Sequence, residues 1–116
     1  MDIKKFHNDN KFFFFNDSLL IEAPALIKKF LILNNFVILL IDPNELKDDK
    51  NIFCYSLNGQ FEWQIREVPK LPSHTRNYYT SIYVNENNDF QAYNLNGVEI
   101  TINLSNGEII KKELIR

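Results

Sequence analysis

From Asn51 onward the chain alternates apolar and polar residues in short runs, each closed by a pair that begins with asparagine. Phe61, Trp63 and Ile65 fall on one side of such a run and Glu62, Gln64 and Arg66 on the other. This is the two-residue period of a strand with one buried face. Val98, Ile100, Ile102 and Leu104 alternate with Glu99, Thr101 and Asn103 in the same way. Asn58-Gly59, Asn96-Gly97 and Asn106-Gly107 separate these runs, and all three glycines of the chain stand in such pairs. A two-residue hairpin loop needs positive φ at both central positions, which Asn-Gly accommodates at least steric cost. The pattern therefore predicts a hairpin over 51–68, then a meander of strands over 79–84, 90–95, 98–104 and 108–115.

The N-terminal half is less regular. Residues 1–11 are polar apart from Ile3 and Phe6 and read as a loosely held arm. Phe12 to Phe15 is a run of four aromatics that must be covered on both faces, and it reads as a short strand turning at Asn16-Asp17-Ser18 into Leu19-Leu20-Ile21. Ala25 to Leu33 fits a helix with Lys28 and Lys29 outside, and equally a strand; strand is the expectation taken here. Phe36 to Ile41 is apolar on both faces and reads as a central strand after a turn at Asn34-Asn35. Asp42-Pro43 opens like a single helical turn over 43–47, with aspartate as N-cap and proline at the first helical position. Two prolines make 69–77 the longest irregular connection.

The fold class that follows is all-β: an antiparallel meander of hairpins forming a twisted sheet, a sandwich or a partial propeller, in a single domain over 1–116. A chain of 116 residues with 45% hydrophobic and 24% charged residues is long enough to bury one core. Ten Phe and five Tyr suit strands. A net charge of −2 gives no electrostatic ground for nucleic-acid binding. The N-terminus lacks the apolar stretch of a signal peptide, and Phe30 to Ile41 is too short to span a bilayer, so the expectation is a cytoplasmic protein with no membrane partner.

Candidate chemistry is sparse. His7 and His74 have no second ligand nearby in sequence and read as solvated loop residues rather than bases. Cys54, the one cysteine, lies within an expected strand with no basic neighbour and reads as a buried inert thiol. Asp42, Asp48 and Asp49 lack the alternating oxygens, glycine and closing glutamate of a calcium loop. No phosphate cradle, nucleophile elbow or carboxylate pair stands out, so no cofactor, no metal and no enzymatic activity are expected. Trp63 reads as core, since it alternates with Phe61 and Ile65.

Tyr55-Ser56-Leu57-Asn58-Gly59 recurs as Tyr93-Asn94-Leu95-Asn96-Gly97, an offset of 38 residues, close to the roughly 40-residue scale of a propeller blade. Asn51 to Ile65 resembles the strand–turn–Trp unit of quinoprotein-type propeller repeats, and Phe90 to Ile110 resembles a following unit. The resemblance implies paired strands of blade type. Two copies do not close a propeller, which takes about four or more blades, and the quinone-binding residues of that family have no matching positions. The layout is also similar to that of small β-rich bacterial immunity proteins, and that likeness implies a binding scaffold directed at a toxin.

The leading functional expectation is thus a non-enzymatic protein-binding domain, in its specific form an immunity protein that occludes a cognate toxin. Its docking surface would comprise the 42–50 loop, the 69–77 loop and an exposed sheet face. Glu45, Asp48, Asp49, Glu62 and Glu67 would serve for charge pairing and Tyr78 and Tyr79 as anchors. The alternatives are a self-associating β scaffold, and a small-molecule site using Trp63, His74 and Arg76.

Overall fold

A computed structural model describes residues 5–66 and 76–115. Within them the chain forms three antiparallel sheets, each a simple meander. The first contains β1 (Phe6–Asp9), β2 (Phe12–Phe15) and β3 (Ser18–Glu22). The second contains β4 (Ile27–Leu33), β5 (Phe36–Ile41), β6 (Ile52–Ser56) and β7 (Phe61–Gln64). The third contains β8 (Tyr79–Val84), β9 (Phe90–Asn94), β10 (Val98–Ile102) and β11 (Ile109–Leu114). The single helix among the described residues, α1 (Pro43–Leu46), links β5 to β6.

The second sheet is the middle layer, because its strands are apolar on both faces. Ile27, Val37, Leu39, Ile41, Phe53 and Tyr55 pack towards the first sheet against Phe13 and Ile21. Ile38, Leu40, Ile52, Cys54, Trp63 and Ile65 pack towards the third, against Tyr79, Ile82, Phe90, Ala92, Ile100 and Ile102. The central-strand expectation for 36–41 therefore holds, and the ambiguous stretch 25–33 contributes the strand β4. Burying every residue of Val37–Ile41 is what commits the fold to three layers rather than two.

Several details differ from the expectations. The supposed loose arm contains β1, whose Phe6 packs at 4.9 Å on Phe15 and 6.0 Å on Phe13. His7 is accordingly a strand residue, stacked on Phe14 at 4.8 Å. That stack, with Lys11 over the Phe12 ring at 5.7 Å, covers the outward phenyl rings of the aromatic run. Phe61 does not share a face with Trp63. A register shift between Cys54 and Tyr55 inserts a bulge, so Phe61 pairs with Tyr55 and turns to the first-sheet side, 58% exposed.

The corners are also of a different kind. Of each Asn-Gly pair only the glycine has positive φ, at 84°, 88° and 78° for Gly59, Gly97 and Gly107. The shared device is a side-chain acceptor. Ser56 Oγ receives the amides of Asn58 and Gln60, and Asn94 Oδ1 those of Asn96 and Val98. Asn85 Oδ1 receives those of Asn87 and Asp89, with Asn88 at φ 65° standing where the others have glycine. The five-residue repeat read in the sequence is thus one turn used repeatedly. Its first copy joins the third and fourth strands of the second sheet, and its second copy joins the second and third strands of the third.

Candidate functional site

The loop after β5 begins as its sequence dictates. Asp42 Oδ1 accepts the amides of Asn44 and Glu45, Pro43 occupies the first turn, and Lys47 ends the helix in the left-handed region at φ 61°. One turn of helix has little stability of its own, so what fixes this loop must come from elsewhere.

Arg76, just before β8, supplies it. Its Nη2 lies 2.5 Å from Asp49 Oδ1, its Nε donates to the same oxygen at 2.8 Å, and its Nη1 donates to Asn44 Oδ1 at 2.8 Å. Nη2 also donates to the Pro43 carbonyl at 3.2 Å, and Asp49 Oδ2 accepts the Asn77 amide at 2.9 Å. The guanidinium carbon stands 5.4 Å from the centre of the Tyr78 ring. A planar donor fork is suited to this because it reaches several acceptors from one fixed plane. Two chain segments remote in sequence become one platform.

Beneath it lies a further set of asparagines. Asn51, fully buried, donates to the carbonyls of Ile41 and Tyr79 at 2.9 Å each and accepts the Tyr79 amide at 2.8 Å, tying the second sheet to the third. Asn96 Nδ2 donates to Asn77 Oδ1 at 2.6 Å. Asn94 is buried in the adjacent corner, and its Nδ2 has no hydrogen-bond partner. A cleft of about 210 Å³ opens at this end, between Asp42, Pro43 and Asn44 on one side and Tyr78, Tyr79 and Thr80 on the other, with Lys28 of β4 also lining it.

The residues proposed from sequence divide accordingly. Glu45, Asp48, Asp49 and Tyr78 come together around this platform. Glu45 is exposed on α1. Asp48 accepts the Lys50 amide at 2.8 Å and Gln64 Nε2 at 3.2 Å. Asp49 is present but already engaged by Arg76, so its charge is not free for a partner. Tyr78 is half-buried at the surface, whereas Tyr79 is 1% exposed and belongs to the core. The anchor role expected for Tyr79 is therefore corrected: β8 begins there and turns its ring inward between the sheets. Glu62 is exposed on the edge strand β7, and Glu67 lies outside the described residues.

Other candidate chemistry resolves in the same way. Trp63 donates its indole N–H to the Leu104 carbonyl at 2.8 Å, in the turn before β11, while Arg76 sits at the α1 end; His74 lies outside the described residues. Burial, and then the Glu62 charge, push the Cys54 thiol up to about 12, so it stays protonated and unreactive at neutral pH. Burial, with the Glu99 carboxylate accepting its hydroxyl, raises Tyr83. Among the described residues no group of three or more His, Cys, Asp or Glu could hold a metal ion, and no helix is long and apolar enough to cross a membrane. Asn51 and Arg76 were the residues that sequence reading missed as organisers, since neither periodicity nor motif marks a contact between remote loops.

A family model described as a domain of unknown function, DUF7957, matches residues 4–114. The chain belongs to the DUF7957 family. No curated protein matches this DUF7957 domain. Among solved structures it is similar to the computationally designed Ika8 protein, with a TM-score of 0.39 and 10% identity over 97% of this chain. The DUF7957 chain spans 48% of the length of that designed protein, and at this score the likeness carries no argument.

Proposed function

We propose that this DUF7957 domain is a non-enzymatic, cytoplasmic protein-binding module that docks through its α1 end. The observation that supports this reading is the Arg76 clamp. By holding Asp49, Asn44 and the Pro43 carbonyl at once, it fixes the loop that carries Glu45 and Asp48 beside a cleft lined by Asp42, Lys28 and Tyr78. A surface ordered before binding loses less conformational freedom when a partner arrives. Glu45 and Asp48 on this loop would steer a basic partner, and the half-buried Tyr78 ring, with Arg76 against it, would serve as anchor.

The partner class is a toxin domain whose functional surface the module covers; that part rests on the layout likeness to immunity proteins. The test is binding to the C-terminal domain of a secreted protein encoded beside this chain, measured at two salt concentrations. Glu45→Lys should slow association and reduce its salt dependence, and Tyr78→Ala should speed dissociation at least about tenfold, the scale of an anchor residue. Unchanged kinetics in both variants would remove this surface from the reading.

A second reading, self-association, is favoured by one observation. Leu19 is 54% exposed beside the half-buried Phe12 and Phe14 on the outward face of the first sheet. Sedimentation of the native chain and of Leu19→Glu separates the two: a dimer abolished by that change supports assembly, and a monomer at high concentration removes it.

A further inference from the structure

At the end of the molecule opposite α1, the second and third sheets part around a cavity of about 530 Å³. Its floor is Phe90 and Ile102, both nearly fully buried, and Leu33, Leu104 and the exposed Ile110 form its walls. Its polar lining is Asp89 with the amides of Asn34, Asn88 and Asn103, and among the described residues neither lysine nor arginine lines it. Asp89 is held in place by its turn. Its amide donates to Asn85 Oδ1, its Oδ2 accepts Asn85 Nδ2 at 3.3 Å, and the residue is exposed. The same turn carries Glu86 and no cation, whereas Glu108, whose carbonyl accepts the amide of the lining residue Asn103, is matched by Arg66 at 3.4 Å.

From this we infer that the cavity receives a lysine or arginine side chain from a protein partner. The aliphatic stem would lie along Leu33, Leu104 and Ile110 above the buried Phe90 and Ile102, and the cation would emerge at Asp89 among the amide oxygens. Leu33, Leu104 and Ile110 leave apolar side chain accessible around the opening, and a carboxylate there with no cation among the described lining residues selects a stem that ends in a cation over one that ends in a methyl or a carboxylate. The inference deepens the protein-binding reading by naming a second contact with its chemistry, and it rests on that reading. It stands at the other end of the molecule, so its failure leaves the α1 surface untouched, and failure of the α1 surface leaves this cavity to be tested by itself.

The experiment uses the ¹⁵N-labelled full chain, titrated with N-acetyl-lysine N-methylamide and separately with N-acetyl-norleucine N-methylamide, which keeps the stem and lacks the charge. Amide shifts at Leu33, Val84, Phe90, Ile102 and Ile110 are expected, with the lysine probe binding at least about threefold more tightly. Asp89→Asn should abolish that difference while leaving the spectrum otherwise native, and Ile110→Ala, at an exposed wall position, should weaken both probes. The inference is overturned if neither probe shifts these amides, if norleucine binds as tightly as lysine, or if Asp89→Asn preserves the preference.

Discussion

The Trp63 indole lies so close to Gly107 that a Cβ on the glycine would stand 2.6 Å from Cε3 and 2.7 Å from Cδ2. Gly107 has φ +78°, in the turn between β10 and β11, and the same indole donates to Leu104 in that turn. One side chain of the second sheet thereby sets the corner of the third. Gly107→Ala adds left-handed strain to a collision with an immobile ring and should cost about 2–4 kcal/mol in urea denaturation. Trp63→Phe leaves the Leu104 carbonyl without this donor and should cost about 1–2 kcal/mol. The double variant should lose less than the sum of the two, because the smaller ring vacates the space that the methyl needs. Strict additivity would mean that ring and glycine act independently.

Local chemistry was what the sequence expressed well. Alternation around Ile100 and Ile102 placed β10, the doubly apolar run Val37–Ile41 placed the central strand, and Asp42-Pro43 placed α1. The corners were found for a partly different reason, since Ser56 and Asn94 hold them by accepting amides, and only the glycine of each pair is left-handed. What escaped the sequence was everything set by register or by distance. A single bulge moved Phe61 to the other face, and no periodicity announces a bulge. Arg76 and Asp49 meet across 27 residues because two loops share one end of the stack, a consequence of topology that residue spacing does not encode.

Asn51 should be among the least replaceable polar residues. Its amide serves the Ile41 and Tyr79 carbonyls and the Tyr79 N–H, all in a buried setting. Asn51→Leu keeps the volume and removes these three bonds, at an expected cost of about 3 kcal/mol or more. Asn51→Asp retains the acceptor for Tyr79 but turns a second oxygen towards two carbonyls, so it should not rescue stability. Denaturant midpoints near the native value for either variant would contradict the stitching role.

Cys54 gives the alkaline limb of stability a defined sign. Its ordinary value is 9.0 and burial lifts it to about 12 in the folded chain. Between these values the unfolded chain has released the proton and the folded chain retains it, so stability falls as pH rises through that window and is fully present below it. The loss for this one group is at most about 1.4 kcal/mol per pH unit, and Tyr55 and Tyr83, both raised, add to it. Cys54→Val should flatten the decline measured by denaturation between pH 9 and 11. The native thiol should also react with a disulfide reagent only as fast as the chain opens.

The outward face of the third sheet holds an evident electrostatic fault. Glu99 on β10 and Glu113 on β11 are direct cross-strand partners, and like charges so placed repel. Glu99 is committed there, since it accepts the Tyr83 hydroxyl, while Glu113 is exposed on the outer edge strand. Reversing the edge residue is therefore the cleaner change. Glu113→Lys replaces repulsion by attraction and should stabilise the fold by about 0.5–1 kcal/mol at low salt, with Glu113→Gln gaining about half as much. Both gains should shrink towards 1 M salt, where screening removes the Coulombic part. A gain indifferent to salt would trace the effect to strand propensity rather than charge, and no gain at all would mean that the two carboxylates do not share that face.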